Sequence, residues 1–274
     1  MGISTNDFQY ISKMVQELSA IVLEPGKEYL VESRLQPLAQ KEGLATIEDL
    51  VKKMQREPHN GISAKVVEAM TTNETSFFRD IHPFETLKGF VFPDLIEKRG
   101  TTRELNIWCG ASSSGQEPYT LAMLMRENFP ELLSWKINYY ASDISNEMLD
   151  RCRNGIYSQL EVNRGLPAAM MVKYFERHGT EWQIKEDIRK MIDFRITNLS
   201  EQWPLMPKLD LVMMRNVLIY FDIEMKKQIL GKIKALLKPD GYLFLGAAET
   251  TLNLDDSFER MNYKQSGCYR IRQG

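Results

Sequence analysis

Residues 105–126 constrain the fold more than any other stretch of the chain. Leu105-Asn106-Ile107-Trp108-Cys109 is an apolar run of strand length, residues 110–115 form a loop of small side chains, and a helix is expected over residues 117–126. Strand, loop and helix open the βαβ rhythm of an open α/β domain. The rhythm continues with strand-sized runs at Ile137-Asn138-Tyr139-Tyr140-Ala141, at residues 209–214 and at residues 241–246, the last after a helix over residues 225–237. Residues 268–272 supply a late antiparallel strand.

The first 75 or so residues have a different period. Phe8, Ile11, Val15 and Leu18 recur at helical spacing behind Thr5 or Asn6 as a cap, and Leu30, Leu35 and Leu38 form a second stripe. Thr46 and Asp49 mark another helix start, Pro58-His59-Asn60-Gly61 a turn, and Val66, Val67 and Met70 a last helix. Between Asp143 and Leu209 there is more chain than one crossover helix needs. Trp182-Gln183-Ile184 and residues 191–196 look like short antiparallel strands there. The expected organisation is an all-helical domain over residues 1–78, an α/β domain over residues 79–274, and a β-rich insertion within it over residues 150–197.

Composition excludes several classes. With 43% hydrophobic and 26% charged residues in 274, the chain can build a core, and a net charge of −2 sets up no global field for nucleic acid. No run approaches the roughly 18–20 apolar residues of a membrane span, and residues 1–10 lack an apolar signal segment. Cys109, Cys152 and Cys268 are odd in number and far apart, as expected of reduced, buried thiols in a cytoplasmic protein. His59, His82 and His178 form no metal-ligand spacing, so no metal site is expected.

The loop after the first strand is neither a dinucleotide fingerprint nor a phosphate loop. Gly110 and Gly115 have the phosphate-loop spacing, but Gln116 stands where a phosphate-binding lysine belongs. Glu117 at the helix start disfavours a pyrophosphate and suits a cationic or hydroxylated ligand. Asp143, ending the second strand, is placed either to accept ribose hydroxyls or to cap the next helix. These features fit S-adenosylmethionine, and ribose binding also fits a nicotinamide.

Asn73-Glu74-Thr75-Ser76-Phe77-Phe78-Arg79 is more specific. It resembles the Asn-Glu-Thr-x-Phe-Phe-Arg signature of the chemotaxis receptor methyltransferases, the CheR family. Three more segments resemble that family in the same order: residues 108–119, Ala141-Ser142-Asp143-Ile144-Ser145, and Arg215-Asn216-Val217-Leu218-Ile219-Tyr220-Phe221. Ala111 and Ser112 depart from the usual Cys-Ser of the loop, Gln116 from a glutamate, and Met214 from a cysteine. None of these changes removes a group the chemistry requires.

The resemblance implies a Rossmann-like S-adenosylmethionine-dependent methyltransferase domain behind a helical domain. It implies methyl esterification of glutamate side chains on the cytoplasmic domain of methyl-accepting chemotaxis receptors, for sensory adaptation. Asn73, Thr75, Arg79, Glu117, Asp143, Asn198, Leu199, Asn216 and Val217 match its cofactor-binding positions, and Arg79 and Tyr220 its catalytic ones. The implied protein is a cytoplasmic monomer, drawn to receptor arrays, that inserts in no membrane. Relatives that grip a receptor C-terminal pentapeptide use a glycine-rich loop; His178-Gly179-Thr180-Glu181 is short with one glycine, so no such tether is expected. Residues 1–80 hold nine Lys/Arg against twelve Asp/Glu, yet Lys27, Arg34, Lys41, Lys52, Lys53 and Arg56 are candidates for a basic stripe facing an acidic receptor helix. The alternatives are a methyltransferase of another protein or of a small molecule, and a non-catalytic regulatory module.

Overall fold

The computed structural model describes residues 2–57, 61–263 and 265–273. The chain forms two compact units. One comprises Met1–Thr72 with Asn198–Gln202 and Tyr220–Met225; the other comprises Asn73–Thr197, Trp203–Ile219 and Lys226–Gly274.

The first unit is built on four helices, α1 (Thr5–Ser19), α2 (Glu28–Lys41), α3 (Ile47–Arg56) and α4 (Ile62–Met70). Each buries one stripe, as helical periodicity requires. Phe8, Ile11 and Val15 of α1 are buried as expected, but Ser19 rather than Leu18 completes that face. In α2 the buried stripe is Val31, Leu35 and Ala39, one position on from Leu30 and Leu38. Ser4, not Thr5 or Asn6, caps α1, its hydroxyl accepting the Asp7 N–H at 3.1 Å. Thr46 and Asp49 form the expected reciprocal capping box on α3. The turn expected at Pro58-His59-Asn60 lies outside the described residues. Arg34 leaves the basic stripe: Nη1 donates to the carbonyls of Met70 and Thr71 at 2.6 and 2.8 Å, closing the end of α4.

In the second unit, α5 (His82–Thr86), a π turn over Leu87–Val91 and α6 (Phe92–Arg99) lead into the sheet. The strands are β1 (Glu104–Gly110), β2 (Lys136–Asp143), β3 (Ile156–Tyr157), β4 (Phe175–His178), β5 (Glu181–Ile184), β6 (Asp193–Ile196), β7 (Leu209–Met214), β8 (Leu237–Leu245), β9 (Phe258–Arg260) and β10 (Gly267–Ile271). The remaining helices are α7 (Gln116–Asn128), α8 (Asn146–Asn154), α9 (Gln159–Asn163), α10 (Ala168–Tyr174), α11 (Glu186–Arg189) and α12 (Ile223–Leu236). Seven strands lie in the order β6-β2-β1-β7-β8-β10-β9, with β6 through β8 parallel and β10 antiparallel to β8. All of β7, and all of β1 after Glu104, is buried, which explains the unbroken apolar runs.

Two expectations change. The division falls between Thr72 and Asn73, because Phe77 packs edge-on against Tyr157 and Phe175 of the second unit. The insertion contains a three-stranded antiparallel sheet, β3-β5-β4, but the strand expected within residues 191–196 is not part of it. Asp193–Ile196 instead runs parallel to β2 as the edge of the main sheet, Tyr140 opposite Asp193 and Asp143 opposite Ile196. A four-residue edge strand has too short a pattern to announce its partner. Between β4 and β5 only Gly179 and Thr180 intervene, with Gly179 at φ 62°.

Strand order reverses at the neighbouring pair β1 and β7, and open α/β sheets bind ligands beyond the carboxyl ends of the strands at such a point. The opposite end is closed by charge. Asp210, fully buried, accepts from Arg99 Nε at 2.7 Å, Lys238 Nζ at 2.9 Å and the Asn106 N–H at 2.9 Å. Asp210→Ala unpairs Lys238 and a backbone donor and leaves Arg99 with Asp240 alone, so a loss of about 3 kcal/mol is expected in urea unfolding; a change within about 0.5 kcal/mol, the range of ordinary surface substitutions, would remove the network from the account.

Candidate active site

The loop after β1 takes its shape from close contacts. A Cβ on Gly110 would stand 2.5 Å from the Met214 methyl, and Gly115 has φ 96°. Ala111 and Ser113 also adopt positive φ, 53° and 48°. Asp143 holds this strained loop: one carboxylate oxygen accepts the Ser113 N–H at 2.8 Å, the other the Ser145 N–H at 3.0 Å. The helix that follows is capped by Ser145, not by Asp143, through the Met148 N–H at 3.2 Å.

The segment before α5 docks on the same loop. The Asn73 carbonyl accepts from Ser113 Oγ at 2.8 Å, and the Phe78 N–H donates to Thr120 Oγ1 at 3.2 Å. Thr75 is half-buried. Arg79 is partly exposed, its Nη1 donating to the Glu74 carbonyl at 2.9 Å, while Glu74 pairs with Arg164.

Arg215, the residue after β7, ties these parts together, and the sequence offers it only as the first residue of the Arg215–Phe221 motif. Its side chain is 1% exposed and pairs with Glu117 at the start of α7. Nη2 donates to the Arg79 carbonyl at 3.0 Å and to Asp80 at 2.8 Å. Glu117 also accepts from the Cys109 thiol at 3.3 Å. Asp80 and Arg215 line a cleft of about 360 Å³ together with His82, Leu245, Ala247 and Gly267. Asn216 and Val217 follow directly, both half-buried, with Asn216 at φ 59°.

Seven expected site residues, Asn73, Thr75, Arg79, Glu117, Asp143, Asn216 and Val217, thus belong to the α/β unit. Asn198, Leu199 and Tyr220 are grouped with the helical unit. There Asn198 Nδ2 donates to the Leu18 carbonyl at 2.7 Å and the Tyr220 carbonyl accepts the Val22 N–H at 3.0 Å. The thiols do not suit nucleophilic work. Burial pushes Cys152 up to about 12 and Cys109 well above the usual thiol range. Among the described residues no cluster of His, Cys, Asp or Glu has metal-binding geometry, and no helix is long and apolar enough to cross a membrane.

A parallel sheet reversing between β1 and β7, a small-residue loop after β1 and a buried acid ending β2 define a nucleoside-cofactor α/β domain. Comparison with known sequences makes this particular. Residues 73–266 match the CheR methyltransferase SAM-binding domain, and residues 6–71 the all-alpha domain of the same methyltransferases. Chemotaxis protein methyltransferase 1 of Pseudomonas aeruginosa is 40% identical, with 99% of this chain and 100% of that protein covered. Chemotaxis protein methyltransferase 1 of Vibrio cholerae is 38% identical, with 98% of each covered, and the chemotaxis protein methyltransferase of Escherichia coli 31%, with 94% and 89% covered. The chain belongs to the CheR methyltransferase family.

The donor set accords with S-adenosylmethionine, which carries an ammonium, a sulfonium and ribose hydroxyls. Asp80, Glu117 and Asp143 set three carboxylates against Arg79 and Arg215 at this end of the sheet. Arg215→Lys replaces a planar fork with a point charge that cannot meet Glu117, Asp80 and the Arg79 carbonyl together. Thermal and urea unfolding are expected to show a loss of about 3 kcal/mol; wild-type stability would mean that one contact carries the cluster.

Proposed function

We propose that this methyltransferase esterifies glutamate side chains on the cytoplasmic domain of chemotaxis receptors. The observation that carries the reading is the match of both family domains along the chain, with relatives that are named chemotaxis protein methyltransferases. The carboxyl-end cluster around Arg79, Asp143 and Arg215 supports it by supplying charge and hydrogen-bonding groups.

The chemistry asks little of the protein in proton transfer. S-adenosylmethionine supplies a methyl group already activated by its sulfonium. A glutamate with a reference pKa of about 4.3 is a carboxylate at neutral pH and needs no base. The chain's task is to align that oxygen and exclude water. In this reading Asp143, at the carboxyl end of β2, accepts ribose hydroxyls, while Asn73, Thr75 and the Asn216-Val217 turn line the cofactor. Glu117, half neutralised by Arg215, offsets the cofactor's cationic methionine end. Asn198 and Leu199 keep the cofactor roles that the family pattern assigns them, as Tyr220 keeps its role in transfer.

Arg79 presents a guanidinium whose hydrogen bond to the Glu74 carbonyl leaves other donors for a carboxylate. Its grip must be moderate, because a fully neutralised carboxylate is a poorer nucleophile. The product ester is neutral, so each transfer deletes a negative charge from a receptor helix and shifts its packing equilibrium. In the helical domain, Lys27, Lys41, Lys53 and Arg56 remain the basic residues proposed to meet the receptor; Arg34 holds α4, and Lys52 pairs with Glu48 at 2.6 Å. The two-residue β4–β5 turn favours action without a receptor-tail tether.

Transfer of labelled methyl to receptor cytoplasmic fragments is expected to give base-labile label on glutamates. Arg79→Ala should lower the rate roughly a hundredfold, the scale of a misplaced reactant, and Tyr220→Phe should lower it as well. No label on any receptor fragment from protein that binds S-adenosylhomocysteine would overturn the receptor reading. Separately, Asp143→Ala should weaken S-adenosylhomocysteine binding in calorimetry at least about tenfold, a loss of about 1.4 kcal/mol; undiminished affinity would remove Asp143 from the cofactor.

A further inference from the structure

The turn after β7 holds an energetically unfavourable backbone. Asn216 lies at φ 59°, in the left-handed region, which asparagine tolerates better than other non-glycine residues but still at a cost. What holds it comes from the next strand. Glu249, four residues past the end of β8, is 8% exposed and points its carboxylate back at this turn. One oxygen accepts the N–H groups of Asn216 at 2.8 Å and Gly246 at 2.6 Å. The other accepts the Ile219 N–H at 3.3 Å. Three backbone donors that would otherwise lack partners converge on one buried acid.

The packing leaves no slack for an alternative. A Cβ on Gly246 would stand 2.6 Å from Asn216 Nδ2, 2.8 Å from the Asn216 nitrogen and 2.8 Å from a Glu249 oxygen. Gly246 is therefore glycine because the Asn216 turn and the Glu249 carboxylate both close on it. Asp143 does the equivalent for the other strained loop through the Ser113 N–H. Glu249 thus repeats, on the far side of β7, the device by which an acid from a neighbouring strand end fixes a loop at the carboxyl edge.

We infer that Glu249 is a positioning residue for methyl transfer: its carboxylate fixes the Asn216–Ile219 turn in the strained conformation that presents Asn216 and Val217 to the cofactor. This rests on the reading that the Asn216-Val217 turn meets S-adenosylmethionine. Glu249 itself acts only through that turn. Removing the carboxylate frees Asn216 to leave the left-handed region, so the loss should appear first in cofactor affinity. Glutamine is the informative substitution, since its carbonyl oxygen can still accept the Asn216 and Gly246 N–H groups and only the longest bond is lost.

The test uses the full chain, with S-adenosylhomocysteine titrated by calorimetry and the KM for S-adenosylmethionine and kcat measured on a receptor fragment. Glu249→Ala is expected to weaken S-adenosylhomocysteine about tenfold, the scale of a buried donor left unpaired, and to raise KM by a similar factor with a smaller fall in kcat. Glu249→Gln should recover most of the affinity. Gly246→Ala, which displaces the same turn while leaving the acid in place, should reproduce the loss, and it serves with the glutamine variant if Glu249→Ala does not fold. Glu249→Ala or Gly246→Ala protein that melts earlier but binds with wild-type affinity would reduce Glu249 to a structural role and overturn the inference. Asn216→Gly, which tolerates the same φ, and Val217→Trp, which fills the turn's surface, separate the premises. If both leave affinity unchanged, the turn does not meet the cofactor and the underlying reading fails. If they weaken binding and the Glu249 and Gly246 variants do not, the positioning role alone fails.

Discussion

The buried guanidinium of Arg215 is the constraint on which the carboxyl edge of the sheet depends. It stands at the end of β7, 1% exposed, and reaches Glu117 on α7 together with Asp80 and the Arg79 carbonyl. Three segments distant in sequence are therefore referenced to one planar group. A charge so enclosed is tolerable only because two carboxylates and a carbonyl surround it, and losing any partner leaves a poorly solvated ion. Arg79 is placed through its own carbonyl, while its guanidinium stays partly exposed. Rigid backbone and available side chain are thus combined in one residue.

Backbone strain is concentrated at the same edge. Of the eight non-glycine residues with positive φ among the described residues, five (Phe78, Asp80, Ala111, Ser113 and Asn216) belong to the segments just discussed. Such conformations cost of order 1–3 kcal/mol each and persist where neighbours over-determine them. Here the neighbours are acids: Asp143 on Ser113 and Glu249 on Asn216. At both loops the protein fixes the backbone with carboxylates aimed at N–H groups. At the opposite end of the sheet the buried Asp210 network anchors α6, β7 and β8, so the strained loops stand on a fixed frame.

Much of this was legible without coordinates where the signal was local. The apolar runs of β1 and β7 define strands buried on both faces, those of β2 and β8 are long enough to define strands, and the capping box at Thr46 and Asp49 follows from residue types at fixed spacing. Short or one-residue decisions were not legible. Asp193–Ile196 has four residues and no pattern to say that it would lie parallel to β2 rather than in the small sheet. The choice of Val31 and Ala39 over Leu30 and Leu38 turns on which face of α2 the other helices cover, and leucine content alone does not encode that. Arg34, read as a surface cation, was claimed by carbonyls 36 and 37 residues away.

The sequence by itself determined the two-part organisation, the α/β class and the family, because these rest on periodicity and on motifs whose residues are near one another in the chain. It also marked Arg79, Glu117, Asp143 and Asn216 as candidates. Only the tertiary structure decided that Glu117 is already paired with a buried arginine, that Asp143 holds the loop after β1, and that Glu249 holds the turn at Asn216. Those facts depend on which strand ends the sheet order brings side by side. A carboxylate and the backbone N–H it satisfies leave no mark on each other's local sequence, so only folding makes them partners.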